Sequence, residues 1–213
     1  MSYLIHQESA CTYCHTPNEV EVWSIVNVKT DPELRDLLLG GELNMAECAF
    51  CKEFFYAEHF LLYHDPAYEL MAFVYPHDNQ EEKAKWEAKT AEDFARTQAE
   101  APPEGKLAYF PVTLFGLDQL VFFVEDEEER SVQAEIVALL AVDHGFRVRA
   151  LRPWEARQKN VPPIVPYLGA DNQIDRVTVL AGLEKLKSVN DRLFVYTAFE
   201  EAVRKNPDWS LNG

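Results

Sequence analysis

The four cysteines of this chain fall into two pairs of identical spacing, Cys11-Thr12-Tyr13-Cys14 and Cys48-Ala49-Phe50-Cys51, and there is no fifth. Two residues between thiolates let one tight turn present both sulfurs to a single ion. Two such turns side by side complete a tetrahedral shell with metal–sulfur distances near ~2.3 Å. One CxxC alone is weak evidence for metal. Two, with no cysteine left over, make a zinc site with Cys11, Cys14, Cys48 and Cys51 as ligands the leading reading. Two other readings stay open. A thioredoxin-like redox pair needs one CxxC at a helix start in a βαβ setting, and neither pair sits in such a pattern. Alternatively, the thiols pack as small hydrophobes. The 33 residues between Cys14 and Cys48 exceed the ~15–20 of a compact ribbon, so real structure must lie between the knuckles. Four thiolates leave no open position for water, and their excess negative charge opposes a metal-bound hydroxide. The expected role is therefore structural.

Around the cysteines, Val20 to Val28 (VEVWSIVNV) reads as a strand. Asp31-Pro32 opens a short helix, with Asp31 as its cap, and Gly40-Gly41 stop it. Phe54 to Tyr63 and Tyr68 to Tyr75 read as a β-hairpin turning at Asp65-Pro66. Asn79 to Glu100 is a polar helix with Glu81→Lys85 and Glu92→Arg96 at i,i+4 spacing and two large apolar anchors, Trp86 and Phe94. Leu107 to Phe115 and Gln119 to Val124 read as further strands. Glu127 to Asp143 reads as a helix with Val132, Ile136, Leu139 and Leu140 on one face. Then come a strand at Phe146 to Arg149, a Pro-rich stretch, and helices at Asn172 to Lys187 and Asp191 to Asn206. The second carries Val195, Phe199, Ala202 and Val203 on its buried face.

These segments together resemble the CpXC domain, a family of bacterial and archaeal proteins named for two Cys-Pro-x-Cys motifs. The likeness rests on the two CxxC pairs, on VWSIVNV, on DPELRDLLLGGELN just before the second pair and on LLYHDP after it. It covers residues 8–140 and is most specific over 20–76. It implies Cys11, Cys14, Cys48 and Cys51 as metal ligands and implies no catalytic residue. The chain departs from the motif: Thr12 and Ala49 replace the prolines, and His15 and Lys52 stand where glycine often follows.

Charge narrows the function classes. With 36 acidic and 20 basic residues the net charge is −16, which argues against nucleic acid and anionic lipid as partners. Residues 1–144 carry 28 acids and 9 bases (net −19), and residues 145–213 carry 8 and 11 (net +3). The expected organisation is a zinc-binding domain over 1–144 and a C-terminal part over 145–213 docked on it. The N-terminus lacks an export signal, and the longest apolar run, Ile136 to Val142, is too short to span a bilayer. A cytoplasmic location is the expectation. No P-loop, GxGxxG or GxSxG pattern occurs.

Other candidates have plainer readings beside them. His59, His64, Asp65 and Glu58, with His6, His15, His77 and His144 elsewhere, could build a second metal or acid–base site; surface histidines and a turn-forming Asp-Pro are the plainer and preferred reading. Glu125 to Glu129 reads as a solvated helix start capped by Asp126 rather than a cation site. Arg147, Arg149, Arg152, Arg157 and Lys159, around Trp154, form the one basic segment able to meet nucleic acid. The fold expected is α+β: a zinc-ribbon-like antiparallel sheet with packed helices and a small C-terminal α/β extension. The function expected is a structural-zinc, non-enzymatic interaction module with a protein partner. A hydrolase or transferase beside the 53–75 hairpin and a nucleic-acid binder through 147–159 are the alternatives.

Overall fold

A computed structural model describes residues 1–170 and 174–211 and shows an α+β protein. It divides into two compact units, Met1–Glu125 and Asp126–Gly213. The division falls inside a long helix rather than at 144/145, where the charge balance changes.

The first unit is built on a five-stranded sheet in the order β1-β2-β5-β6-β7. β1 (Tyr3–Ala10) pairs antiparallel with β2 (Pro17–Asn27). β5 (Leu61–Asp65) and β6 (Leu70–Tyr75) form a second antiparallel pair around the Asp65-Pro66 turn, where Asp65 Oδ1 accepts from the Ala67 amide at 3.1 Å. The remaining pairings, β2 with β5 and β6 with β7 (Val112–Phe115), are parallel. The sheet is therefore mixed rather than antiparallel. A parallel pairing needs a crossover connection, and each crossover here carries a helix. Between β2 and β5 lie α1 (Glu33–Leu39) and a small hairpin of β3 (Met45–Glu47) and β4 (Phe54–Tyr56). Between β6 and β7 lies α2 (Lys83–Glu100). The aromatic run at 54–63 is thus split, its first residues pairing within the small hairpin and its last joining the main sheet.

Alternation along β6 sorts the two faces of the sheet. Leu70, Ala72 and Val74 join Leu34, Leu38, Leu43, Val26, Leu61 and Tyr63 in one core. Phe73 and Tyr75 face the other way with Phe115 and Trp86. Trp86 tilts onto Tyr75 at 4.6 Å between ring centroids, and the Thr90 hydroxyl lies 3.2 Å from the Tyr75 hydroxyl, so α2 is anchored by a narrow polar-aromatic stripe. The cations of α2 reach acids other than those expected: Lys85 pairs with Glu82 and Arg96 with Asp93, both at i,i+3. Asp31 does not cap α1. Its carboxylate accepts instead from the Ser2 amide at 2.9 Å and the Thr30 hydroxyl at 2.7 Å, tying the N-terminus to the loop after β2.

α3 (Leu117–His144) is one helix of 28 residues. The segment 119–124, expected as a strand, is its opening, and the chain turns into it at Gly116, whose φ of +86° suits glycine. Leu120, Val124, Glu127, Ala134, Val137 and Ala141 are its buried stripe, at steps of three, four or seven residues. Val132 and Leu139, expected in the core, lie outside that stripe and are exposed. The acidic run is therefore mid-helix and not a cap: Asp126 pairs with Arg130 at i,i+4, while Glu127 occupies a core position.

The second unit adds β8 (Arg147–Ala150), α4 (Pro153–Lys159), β9 (Ile164–Tyr167), α5 (Arg176–Val189) and α6 (Phe194–Lys205), with β8 and β9 antiparallel. The Pro-rich stretch thus holds a helix and a strand; Pro153 fits the first turn of α4, where a missing N–H costs nothing. The helix expected from Asn172 begins at Arg176 behind an Asp175 capping box, and Asn172 itself lies outside the described residues. Val137, Phe146, Val165, Leu183, Leu186, Tyr196, Phe199 and Val203 share one core. On α6, Tyr196 takes the buried place expected of Ala202, which is exposed. A Cβ at Gly182 would lie 2.5 Å from the Tyr167 backbone, so α5 approaches β9 through a glycine. Polar groups in this unit are matched too. Glu127 meets Arg157 at 2.7 Å, and burial pushes its carboxyl up while the guanidinium pulls it back. Gln133 Oε1 accepts from the Val195 amide at 3.0 Å, supplying the start of α6 with an acceptor its own N-cap residue, Leu193, lacks.

Candidate metal centre

Each CxxC occupies the loop at the tip of an antiparallel hairpin, the first between β1 and β2, the second between β3 and β4. The two loops share one backbone pattern. The Cys11 amide donates to the Thr16 carbonyl at 3.0 Å and the His15 amide to the Cys11 carbonyl at 2.9 Å. The Cys48 amide likewise donates to the Glu53 carbonyl at 2.9 Å and the Lys52 amide to the Cys48 carbonyl at 3.0 Å. The residue after the second cysteine is left-handed in both, φ 58° at His15 and 65° at Lys52. A non-glycine residue there costs about 1–2 kcal/mol, which the rest of the knuckle must offset. The departures from the family motif thus leave both knuckle folds in place.

The four Sγ atoms lie within 4.8 Å of one another. The close approaches run between knuckles, Cys11 to Cys51 at 3.7 Å and Cys14 to Cys48 at 3.6 Å. A tetrahedron with metal–sulfur bonds of ~2.3 Å has edges of roughly 3.8 Å, so these spacings suit one ion. All four are free thiols; Cys11 and Cys48 are fully buried, and Cys14 and Cys51 partly so.

Nearby donors favour the ionised form at some of these sulfurs. Amides of Cys51 and Phe50, with Cys14 and Asn18, hold the Cys48 thiol down to about 6. Thr16, through its hydroxyl and amide, lowers Cys14. The Glu53 amide pulls Cys51 down as well, but burial and the neighbouring sulfurs outweigh it and push that thiol up to about 12. The Tyr13 amide points at Cys11 Sγ from 3.4 Å. Such donors suit a group of sulfurs able to take a soft or borderline cation.

Two buried asparagines, which sequence reading passed over, hold the centre in place. Asn18 bridges the knuckles: its amide nitrogen donates to the Thr16 carbonyl at 2.7 Å and lies 3.6 Å from Cys48 Sγ, and its Oδ1 accepts from the Ala49 amide at 2.9 Å. Asn44, left-handed at φ 58°, exchanges hydrogen bonds with both the amide and the carbonyl of Trp23, at 2.7 and 3.0 Å. It pins the β3–β4 hairpin to β2. The only sequence signal for either was a polar residue next to an apolar run.

The chain matches the CpXC protein family over residues 10–121, more than half its length, and that span contains all four cysteines. It belongs to the CpXC family. No curated protein and no solved structure matches it.

Of the other candidates, Glu58 and His59 come together in the lining of one cavity of the first unit, and His64 and Asp65 do not join them. His64 and Asp65 are neighbours on β5 and so point to opposite faces. His64 Nε2 lies 2.7 Å from the Tyr109 hydroxyl, and burial lowers its basicity. Asp65 is buried facing Arg35 at 3.9 Å, and burial raises its carboxyl. Glu58 Oε2 accepts from the His77 amide at 3.0 Å. His6 approaches Glu21 at 3.5 Å on the surface, and His15 is exposed at its knuckle. Among the described residues the cysteines are the only cluster of three or more His, Cys, Asp or Glu side chains arranged to share an ion. In the basic segment, Arg157 is engaged by Glu127, and Lys159 donates to the Leu211 carbonyl at 2.9 Å. No helix among the described residues is long and apolar enough to cross a membrane.

Proposed function

We propose that this CpXC protein is a zinc-stabilised contact module: the ion fixes two hairpin tips, and those tips meet a protein partner. The observation that carries the reading is the approach of four sulfurs to within 4.8 Å inside two matching knuckles. Cys11, Cys14, Cys48 and Cys51 would hold the ion, whose contribution is to cross-link two hairpins otherwise joined by a limited apolar cluster. Four thiolates complete a tetrahedral shell, which favours a structural over a catalytic role.

The third residue of each CxxC is aromatic and exposed, Tyr13 at 64% and Phe50 at 76%, with Phe54 at 58% on the adjoining strand. Aromatic side chains held out by a rigid turn are the residue type that anchors protein interfaces. The test is capture of a partner by the native protein and by a Tyr13→Ser/Phe50→Ser variant of equal zinc content. Loss of the partner in the variant supports the reading. Equal capture by both proteins would overturn it.

A further inference from the structure

The first unit contains a cavity of about 450 Å³, separate from the cysteine centre. That volume lies within the ~300–1,000 Å³ of small-molecule sites. Leu38 and Leu39 of α1, Leu43, Val74 of β6 and Leu117 and Val121 of α3 make its walls apolar, and Tyr56 and Phe122 stand at an open mouth. Phe122 is 72% and Tyr56 48% exposed, which is unusual for rings with an apolar hollow beside them.

The charged side chains around this hollow are of one sign. Glu58, Asp118 and Glu125 line it, and none of the lining residues is Lys or Arg. Gly116 helps set this up: a side chain there would run into the Asp118 carboxylate, so the glycine leaves room for Asp118 to fold back beside the mouth. Burial lowers the basicity of His59, the one imidazole in the lining, which weakens it as a counter-charge to the carboxylates. An apolar anion would bury its tail at the cost of repulsion by three carboxylates, whereas an apolar cation satisfies both parts of the wall.

We propose that this cavity is a binding site for a small organic cation with an apolar body, such as an alkyl- or arylalkylammonium, its chain against Leu38, Val74 and Val121 and its charge at Asp118 and Glu125. The test is calorimetric titration of the full chain with octylammonium, octanol and octanoate, all below their aggregation limits. Octylammonium should bind saturably at one site per chain and about ten-fold or more tighter than octanoate, a difference set by charge alone. Asp118→Asn/Glu125→Gln should bring octylammonium down to the affinity of octanol, while octanol itself is unchanged. Val121→Trp, which fills the hollow, should abolish binding of all three; Leu39→Trp, in the lining from α1, serves if that variant does not fold. Equal binding of octylammonium and octanoate, binding undiminished in the filled variant, or no saturable binding of octylammonium would each overturn the proposal.

Discussion

Residues 1–125 surround their cysteine centre with a few apolar side chains, Val20, Val22, Phe55 and Ala57, packed against the buried sulfurs. Residues 126–213 instead close around Phe146, Leu183, Leu186, Tyr196, Phe199 and other large side chains, with the ion pair Glu127–Arg157 among them. Four thiolates without an ion are a costly cluster of partly ionised groups; with one, they cross-link strands far apart in sequence. A large apolar core needs no such help, but a charge placed in its stripe must be matched. The difference locates where each unit is vulnerable: the hairpin tips to chelation, the helical unit to loss of one charge.

The largest effect should come from metal removal. Binding of a structural zinc is worth on the order of 10 kcal/mol to such a site, and the small core under the knuckles cannot replace it. Chelation should therefore raise amide exchange over residues 5–22 and 44–57 and leave residues 146–167 unchanged. Equal protection in both forms would remove the contrast between the units.

The second way to break the comparison is through the ion pair. Arg157→Met leaves a buried carboxylate unmatched and should cost about 3–5 kcal/mol. Because paired apolar replacement avoids the stranded charge, Glu127→Leu/Arg157→Met should recover most of that loss. Denaturant unfolding of the two variants checks this; equal loss in both would show that the charges contribute more than their matching.

A finer test concerns Asn18. Asn18→Ala removes the bridge between the knuckles while keeping every sulfur. Competition with a chelator should show zinc affinity reduced about 10–100-fold, the usual cost of losing an outer-shell hydrogen bond. Unchanged affinity would mean the two hairpins position themselves without it.

The smallest effect is at Asp31. Ser2, through its hydroxyl and amide, and the Thr30 hydroxyl hold its carboxyl down to about 2, from an ordinary 3.8. A carboxylate lowered on folding contributes stability that is full above its unfolded value and lost as pH falls through the folded one. Stability should therefore drop between pH 4 and pH 2, and Asp31→Asn should flatten that part of the profile. An identical slope in the variant would assign it to other carboxylates.

The cysteine cluster was the most legible part of the chain because two local spacings specify it, and each spacing survives whatever surrounds it. The strand at 17–27, the short helix after Asp31-Pro32 and the polar helix ending at Ala101-Pro102 were legible for the same reason: their signals are local. The opening of α3 was not. Gln119 to Val124 is a short apolar run, which periodicity cannot assign to strand or helix, and only its continuation through Glu127 into Ala134 and Val137 decides it. Glu127 is readable as a core residue only once Arg157, thirty positions away, is known to meet it. Asn18 and Asn44 act through backbone atoms of distant segments, and the cavity is assembled from four separate stretches of chain. None of these contacts can be read from local sequence.

The most direct test of the central claim is the mass of the intact protein under non-denaturing conditions, purified without added metal or chelator. The account predicts a single species carrying one zinc ion per chain, with Cys11, Cys14, Cys48 and Cys51 protected from alkylation. A metal-free mass, with all four thiols alkylated in the still-folded protein, would contradict it.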